Sequence, residues 1–225
     1  MDATARFAEV VAGREAALPL DELAFLIAAH AHPALDLDAE LARLDELAAR
    51  VNDPTLDGLR RLLFRDLGFA GNEDDYYDPR NSYLDDVLDR RIGIPISLAV
   101  LMLEVGRRVG VPLSGVSMPG HFLVRDKVDP EVFVDPFARG LVLDRRGCQL
   151  RFHGVHGVDA SFDPAFLEPV GKRAIVDRML ANLDGVAVRS GDLGMLSWVL
   201  RLRASIPGTD EEIPRRLAAV VAKLN

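Results

Sequence analysis

The chain has 225 residues, of which 49% are hydrophobic and 28% are charged, a balance typical of a folded globular protein. Its formal net charge is −8 at pH 7. A nonspecific nucleic-acid-binding surface needs clustered Lys and Arg, and no basic run occurs, so we expect no nucleic acid among the partners.

The first 70 residues predict helices. Apolar residues recur at helical spacing in four stretches, most clearly from Leu41 to Val51 and from Leu56 to Leu67. The dipeptide Asp53-Pro54 separates these two stretches, and Gly68 ends the second. Residues 1–70 are therefore predicted to form an N-terminal helical region.

A polar, turn-rich loop, GNEDDYYDPRN, follows at residues 71–81. Asn81 or Ser82 is expected to cap the next helix, which Gly93 stops. Pro95 then suits the first position of another helix, because the missing N–H is harmless there. The segment after it, ISLAVLMLEVGRRVG, is apolar on nearly all sides at its start, so this helix is predicted to be the buried centre of the protein.

Short β-rich segments come next, namely GVSMP, HFLVR, VFVDP and GLVLD. They predict an antiparallel sheet packed on the buried helix, with Phe122 and Phe133 on its strands. Residues 144–170 read as a mixed connector, and helices return from Arg173 onwards. This order of helices, sheet and helices predicts an α+β fold rather than a doubly wound one.

Membrane association is not expected, because the longest apolar stretch, Ile94 to Val105, is too short to span a bilayer and contains Ser97 and Glu104. The first 20 residues carry acidic side chains and no unbroken apolar run, so no signal peptide is predicted. The single cysteine, Cys148, fits a reducing compartment. Together these features predict a cytoplasmic protein.

Three segments closely resemble the SirB family of bacterial transglutaminase-like proteins: YDPRNSYLDDVLDRRIGIPISLAVLMLEVGRRVGVPL, GVSMPGHFLVR and FVDPFARGLVL. The resemblance covers roughly residues 70–205. It implies a transglutaminase-like, papain-type core over residues 71–170 and a C-terminal tetratricopeptide-like helical tail over residues 171–225. A solenoid normally needs three or more repeats and the tail has room for about one and a half, so the tail is expected to act as a buttress.

The resemblance also implies candidate catalytic residues. Catalytic members of such folds use a Cys nucleophile at the start of the buried helix, with a His and an Asp on neighbouring strands. His121 in PGHF resembles the family histidine, and Asp135 in VDPF resembles the aspartate. The cysteine is missing, because Pro95 falls at its position. Ser97 completes a candidate remnant triad only if the alignment shifts, since it points about 200° around the helix. Cys148 is interpreted as a small apolar filler.

Candidate binding residues lie in the same motifs. They are Asn81, Tyr83, Pro95 and Phe122. The loop that carries Asn81 runs towards the central helix, so it is expected near the site. A purely structural role is the alternative for the loop residues.

No metal or cofactor is predicted. His30 and His32 would project to different faces of a helix, and His153 and His156 have no Cys or acidic partner at a suitable spacing. No glycine-rich phosphate loop occurs.

Three functions remain open from the sequence. The missing cysteine and the helical tail favour a non-catalytic module that binds a protein or peptide. The retained His121 and Asp135 favour an amide-bond hydrolase or acyltransferase that uses Ser97. A third possibility is that the His–Asp pair serves stability and function lies elsewhere.

Overall fold

The N-terminal part of the chain is helical, as its apolar periodicity predicts. The computed structural model describes residues 2–224. Helices α1 to α4 span Ala3–Val11, Leu20–Ala28, Leu37–Ala49 and Leu56–Arg60. Helix α4 runs directly into a π-helix at Arg61–Asp66. Gly68, with a φ of +77°, ends this region in a conformation that favours glycine.

A short parallel ladder and one helix lead to the centre of the fold. Strand β1 is Ala70–Gly71, helix α5 is Leu84–Arg90, and strand β2 is Ile92–Gly93, which pairs with β1. Two predicted boundaries are wrong. Tyr83 is the N-cap of α5, because the side chain of Asn81 is occupied within the preceding loop. The helix ends at Arg90, and its C-cap is Arg91, with a φ of +58°, rather than Gly93.

Helix α6, Pro95–Val109, is the buried helix that the sequence predicts. Pro95 is its first residue, and Gly110 ends it with a φ of +77°. Residues 95–106 are all buried. Glu104 is the one carboxylate in that stretch, and its charge is compensated by Arg107 at 2.8 Å and Arg108 at 3.2 Å.

A four-stranded antiparallel sheet packs beside α6. Its strands, in spatial order, are β3 Leu113–Val116, β4 Leu123–Asp126, β5 Phe133–Asp135 and β6 Leu141–Leu143. Val124 and Val134 pack in the main core with α6, whereas Phe133 faces a second, smaller core. Phe122 lies just before β4 rather than within it, but its ring is buried in the main core.

The connector after the sheet contains a helix that the sequence reading missed. Helix α7, Arg145–His156, begins at Asp144, whose carboxylate accepts a hydrogen bond from the Gly147 N–H at 2.7 Å. Cys148 and Phe152, one turn apart, face the second core. Helix α7 therefore covers the outer face of the sheet.

Three helices form the C-terminal part, namely α8 Lys172–Ser190, α9 Leu193–Ala204 and α10 Glu212–Leu224. Met179, Leu180, Leu183 and Leu202 are buried in the main core, as predicted for a docked tail. Trp198 is half-buried and stacks on His30 at a centroid distance of 4.9 Å. The N-terminal helices, α6, the sheet and α8 thus share one hydrophobic core. Within residues 2–224, no helix combines the length and hydropathy needed to cross a bilayer.

Candidate functional site

The two residues singled out by the PGHF and VDPF motifs lie together. His121 lies two residues before the start of β4, and Asp135 ends the neighbouring strand β5. The antiparallel register of these strands brings the two side chains to the same end of the sheet. The His121 Nε2 and Asp135 Oδ1 atoms are 2.9 Å apart, and both side chains are buried.

The pair is a close contact rather than an aligned hydrogen bond. The His121 N–H does not point along the line to the carboxylate, so the Nε2 atom has no aligned hydrogen-bond partner. Asp135 Oδ1 instead accepts a hydrogen bond from the Ala138 N–H at 3.1 Å. The carboxylate is thus held in place by its own turn, and the imidazole rests against it.

Asp135 has a third partner that the sequence reading missed, Arg151 on α7. Its Nε atom lies 2.9 Å from Asp135 Oδ2. Burial alone would raise the pKa of Asp135, but His121, the Ala138 N–H and Arg151 together hold that pKa below its usual value. Asp135 is therefore an ionised carboxylate held between the imidazole of His121 and the guanidinium of Arg151.

Helix α7 also fixes the loop that carries His121. His156 Nε2 lies 3.0 Å from the carbonyl oxygen of Pro119. Gly120 has a φ of +72°, and a side chain there would press against Val155 and His156. The Gly in PGHF is required for this close approach. The apolar spacing of Cys148 and Phe152 was the signal that could have revealed α7.

Phe137 packs against the His121 side of the His–Asp pair. Its ring meets His121 edge-on at 6.1 Å between centroids. The ring also packs against the backbone of Gly71, where a Cβ atom would overlap it. The Gly71 N–H donates to the Phe137 carbonyl oxygen at 3.0 Å. Phe137 thus connects the His–Asp pair to β1 and, through β2, to the start of α6.

Ser97, the third candidate, is engaged elsewhere. Its side chain is fully buried, and its hydroxyl donates to the carbonyl oxygen of Asn81 at 2.6 Å. The Ser97 Oγ atom also accepts a hydrogen bond from the Ile94 N–H at 3.1 Å, which closes the first turn of α6. None of the hydrogen bonds of Ser97 goes to His121. In this arrangement the hydroxyl fastens the preceding loop to the helix.

The four candidate binding residues are also buried. Asn81 donates to the carbonyl oxygens of Asp75 and Tyr76, at 2.7 and 3.2 Å, and so organises its loop. Tyr83, Pro95 and Phe122 are enclosed by the surrounding core. A ligand would reach these side chains only if neighbouring segments moved.

Cys148 is a core residue. It is completely buried among apolar side chains of the second core. Burial raises the pKa of its thiol to about 12, and the nearby charges of Asp144 and Asp135 act in the same direction. The thiol is therefore protonated and unreactive at neutral pH.

His32, Asp85 and Asp86 form a cluster that sequence spacing could not reveal. One ligand atom from each lies within 4.8 Å of the others. His32 Nδ1 is 2.5 Å from Asp85 Oδ2, and Nε2 is 3.5 Å from Asp86 Oδ2. Because both ring nitrogens face carboxylates, the imidazole itself bridges the two acids. Burial, together with the charge of Asp85, raises the pKa of Asp86.

A cleft of about 230 Å³ opens beside the start of α6. Its loop side is formed by Tyr76, Tyr77, Ser82 and Ile94, and its other wall by α8. Tyr76 and Tyr77 are 38% and 49% exposed, which is unusual for such large aromatic side chains. The guanidinium of Arg189 on α8 lies 3.9 Å above the Tyr77 ring. We refer to this feature as the tyrosine cleft.

Comparison with known proteins agrees with the fold and the motifs. Residues 26–181 match the transglutaminase-like superfamily, and the chain belongs to that family. A UPF0162 protein of Xylella fastidiosa (strain Temecula1) is 46% identical over 184 residues, which cover 75% of this chain and 65% of the relative. A UPF0162 protein of Vibrio cholerae is 34% identical over 154 residues, covering 68% of this chain and 56% of that protein.

A eukaryotic protein is also similar. F-box only protein 21 of Mus musculus is 34% identical over 170 residues, which cover 71% of this chain but 26% of the mouse protein. The chain thus spans less than two thirds of the length of these relatives. No solved structure matches the chain.

Proposed function

We propose that the chain is a non-catalytic module of the transglutaminase-like superfamily that binds a protein or peptide partner. The observation that carries this proposal is the start of α6, where Pro95 is the first residue and the Ser97 hydroxyl is bonded to the Asn81 carbonyl. A thiolate at the start of this helix would be the expected nucleophile, and none is present.

The remaining groups do not replace that nucleophile. Cys148 lies in the second core, with a pKa raised to about 12 by burial. Ser97 would have to break its bond to Asn81 and turn towards His121 before His121 could take its proton. In this function the His121–Asp135 pair anchors α7 to the PGHF loop, because Arg151 on α7 contacts the other oxygen of the Asp135 carboxylate.

The tyrosine cleft is the surface that we assign to the partner. Tyr and Arg are the residue types that contribute most to binding energy at interfaces, and Tyr76, Tyr77 and Arg189 lie together there. The cleft joins the loop at residues 71–81 to α8, so the tail contributes one wall. We propose that this tail, with α8 and α9 as one tetratricopeptide-like unit, supports the cleft as a buttress.

The relatives favour a module over a free-standing enzyme. The matched segment makes up 26% of F-box only protein 21, so this fold occurs as one part of a longer chain. We propose that the protein works in the cytoplasm, where its single cysteine remains reduced.

An amide-bond hydrolase or acyltransferase is the second candidate. It is favoured by one observation, the 2.9 Å contact between His121 and Asp135. In that function Ser97 would attack the amide carbonyl, His121 would accept the hydroxyl proton and pass it to the leaving amine, and Asp135 would stabilise the imidazolium.

Display of random twelve-residue peptides tests the binding proposal. We expect the parent protein to enrich a family of peptides with a shared pattern. Tyr77→Ala and Arg189→Ala should weaken the enriched peptides at least tenfold in a fluorescence-anisotropy titration, whereas Leu150→Ala, exposed on α7, and His121→Ala should leave them within twofold. Failure to enrich any peptide, or equal losses in the Leu150 control, would refute the assignment.

A further inference from the structure

A second cleft, distinct from the tyrosine cleft, lies where the π-helix meets the tip of the β5–β6 hairpin. It has a volume of about 450 Å³ and is lined by Asp57, Arg60, Arg61, Phe64, Arg65 and Arg139. Four guanidinium groups face one carboxylate, a net charge of +3. The whole chain carries −8, so this cleft runs against the overall charge. We call it the arginine cleft.

Among the described residues, no carboxylate pairs with three of its four arginines. The exception is Arg60, which forms an ion pair with Asp57 at 2.6 Å and donates a hydrogen bond to the Gly140 carbonyl oxygen at 2.8 Å. Across residues 2–224, no ion pair or side-chain hydrogen bond is formed by Arg61, Arg65 or Arg139. Arg108, in contrast, contacts three carboxylates. The charges of Arg61, Arg65 and Arg139 are therefore not neutralised by any side chain within residues 2–224.

The backbone on one side of the cleft is unusual. Arg61 and Arg65 lie on the π-helix at Arg61–Asp66, in which the Leu67 N–H bonds back to the Leu62 carbonyl oxygen at 2.9 Å. Fewer than about 1% of residues in globular proteins lie in π-helices, and these helices occur frequently at functional sites. The wider turn places these two arginines roughly one turn apart.

The backbone on the other side is also unusual. Arg139 has a φ of +53°. This left-handed backbone conformation is unfavourable for every residue except glycine. The next residue, Gly140, has a φ of +71°, and a Cβ atom there would overlap the Phe64 ring. The tip of the hairpin therefore packs against the π-helix, and Arg139 lies at the edge of the cleft. Such strain is concentrated at ligand clamps.

We propose that the arginine cleft binds a small polyanion that carries adjacent phosphate groups. One guanidinium group can bind two phosphate oxygens at once. Three guanidinium groups with no acidic partner in the described part of the chain line this cleft. The volume lies within the range of small-ligand sites rather than of macromolecular grooves.

The arginine cleft shares a turn with the His–Asp pair. The Gly140 N–H donates to the Asp135 carbonyl oxygen at 2.9 Å, and Arg60 binds the Gly140 carbonyl oxygen. A ligand held by Arg139 therefore restrains the turn that positions Asp135. The proposal does not depend on whether that pair is catalytic, because binding is measured directly.

Isothermal titration with inorganic tripolyphosphate at low ionic strength tests the proposal. We expect saturable one-to-one binding to the parent protein, weakened at least tenfold in the double variant Arg61→Gln/Arg65→Gln. Arg139→Gly should lose as much affinity while remaining folded, because glycine adopts a φ of +53° without strain. The matched control is Arg201→Gln on α9, an exposed arginine away from the cleft, which should stay within twofold.

Two further arms make the outcome decisive. Arg139→Lys should retain part of the affinity, because it keeps the charge but loses the paired donors. Citrate, a polyanion built from carboxylates, should bind at least tenfold more weakly than tripolyphosphate. Absence of saturable binding, equal losses in Arg201→Gln, or citrate binding as tightly as tripolyphosphate would overturn the assignment.

Discussion

Arg151 of α7 and His121 of the PGHF loop hold the two oxygens of one buried carboxylate, Asp135, each at 2.9 Å. The contact joins three segments that are distant in sequence. Its charge balance explains why a fully buried Asp135 remains ionised. The pair is thus a strongly coupled part of the fold whether or not it takes part in chemistry.

His121→Gln should raise the pKa of Asp135 towards its ordinary value. Burial raises this pKa and His121 opposes that effect most strongly, so removing the imidazole leaves burial less compensated. Carboxyl-carbon NMR titration measures the change. His153→Gln is the control, since its ring contacts Gly157 instead. An unchanged Asp135 titration in His121→Gln would show that the imidazole does not act on the carboxylate.

The same shift predicts a pH dependence of stability. The pKa of Asp135 is lower in the folded chain than in the unfolded one, so its contribution is present above about pH 4 and is lost as the pH falls through the folded pKa. Urea unfolding at pH 7 and pH 3 should show this loss, and Asp135→Asn should show less of it. A variant with the full acid sensitivity of the parent would contradict the expectation.

Leu101→Ala should destabilise the protein by about 2–5 kcal/mol, because it leaves a cavity beneath α6, where Leu101 is fully buried. Leu103→Ala should fall at the lower end, since Leu103 is 9% exposed. The control is Leu150→Ala, at a position that is 63% exposed, with an expected effect below about 0.5 kcal/mol. Urea titration decides the matter, and losses below about 1 kcal/mol at both core sites would mean that α6 is not central.

Trp198, the only tryptophan, reports on the docking of the tail. It stacks on His30, whose pKa is lowered by burial. Emission should be shifted away from the water-exposed position at pH 7. It should weaken only at a pH below the ordinary imidazole pKa of about 6.5, because burial lowers the pKa of His30 and the protonated ring is the quencher. His30→Gln should abolish the pH step. Water-like emission in the native parent would contradict a docked tail.

Cys148 should not react with a thiol reagent such as dithionitrobenzoate in the native protein at pH 8. Its side chain is buried, and burial raises the pKa of its thiol to about 12. One thiol should react in urea, in agreement with the single cysteine of the chain. In a Val158→Cys variant, at a position that is 83% exposed, a second thiol should react at once without urea. Rapid reaction of the native parent would mean that α7 opens readily.

The helices and the sheet could be predicted because their signals are local. Pro95 and Gly110 mark the ends of α6 by backbone conformation alone, and the apolar run between them dictates burial. Helix α7 was missed because its sequence is mostly polar and only Cys148 and Phe152 face inward.

The site was predictable only in part, because its contacts are long-range. The resemblance indicated His121 and Asp135, which the structure brings together. It could not indicate Arg151, nor the bridge from His32 to Asp85, which are 53 residues apart. The commitment of Ser97 to the Asn81 carbonyl likewise depends on how the loop folds back.

A non-catalytic module requires that no activated nucleophile faces His121, and intact-mass measurement after exposure to a fluorophosphonate tests this requirement most directly. We expect the parent and Ser97→Ala proteins to keep their unmodified masses alike, because the Ser97 hydroxyl is buried and bonded to the Asn81 carbonyl. A single adduct on Ser97 that disappears in His121→Ala would contradict the account and establish the hydrolase.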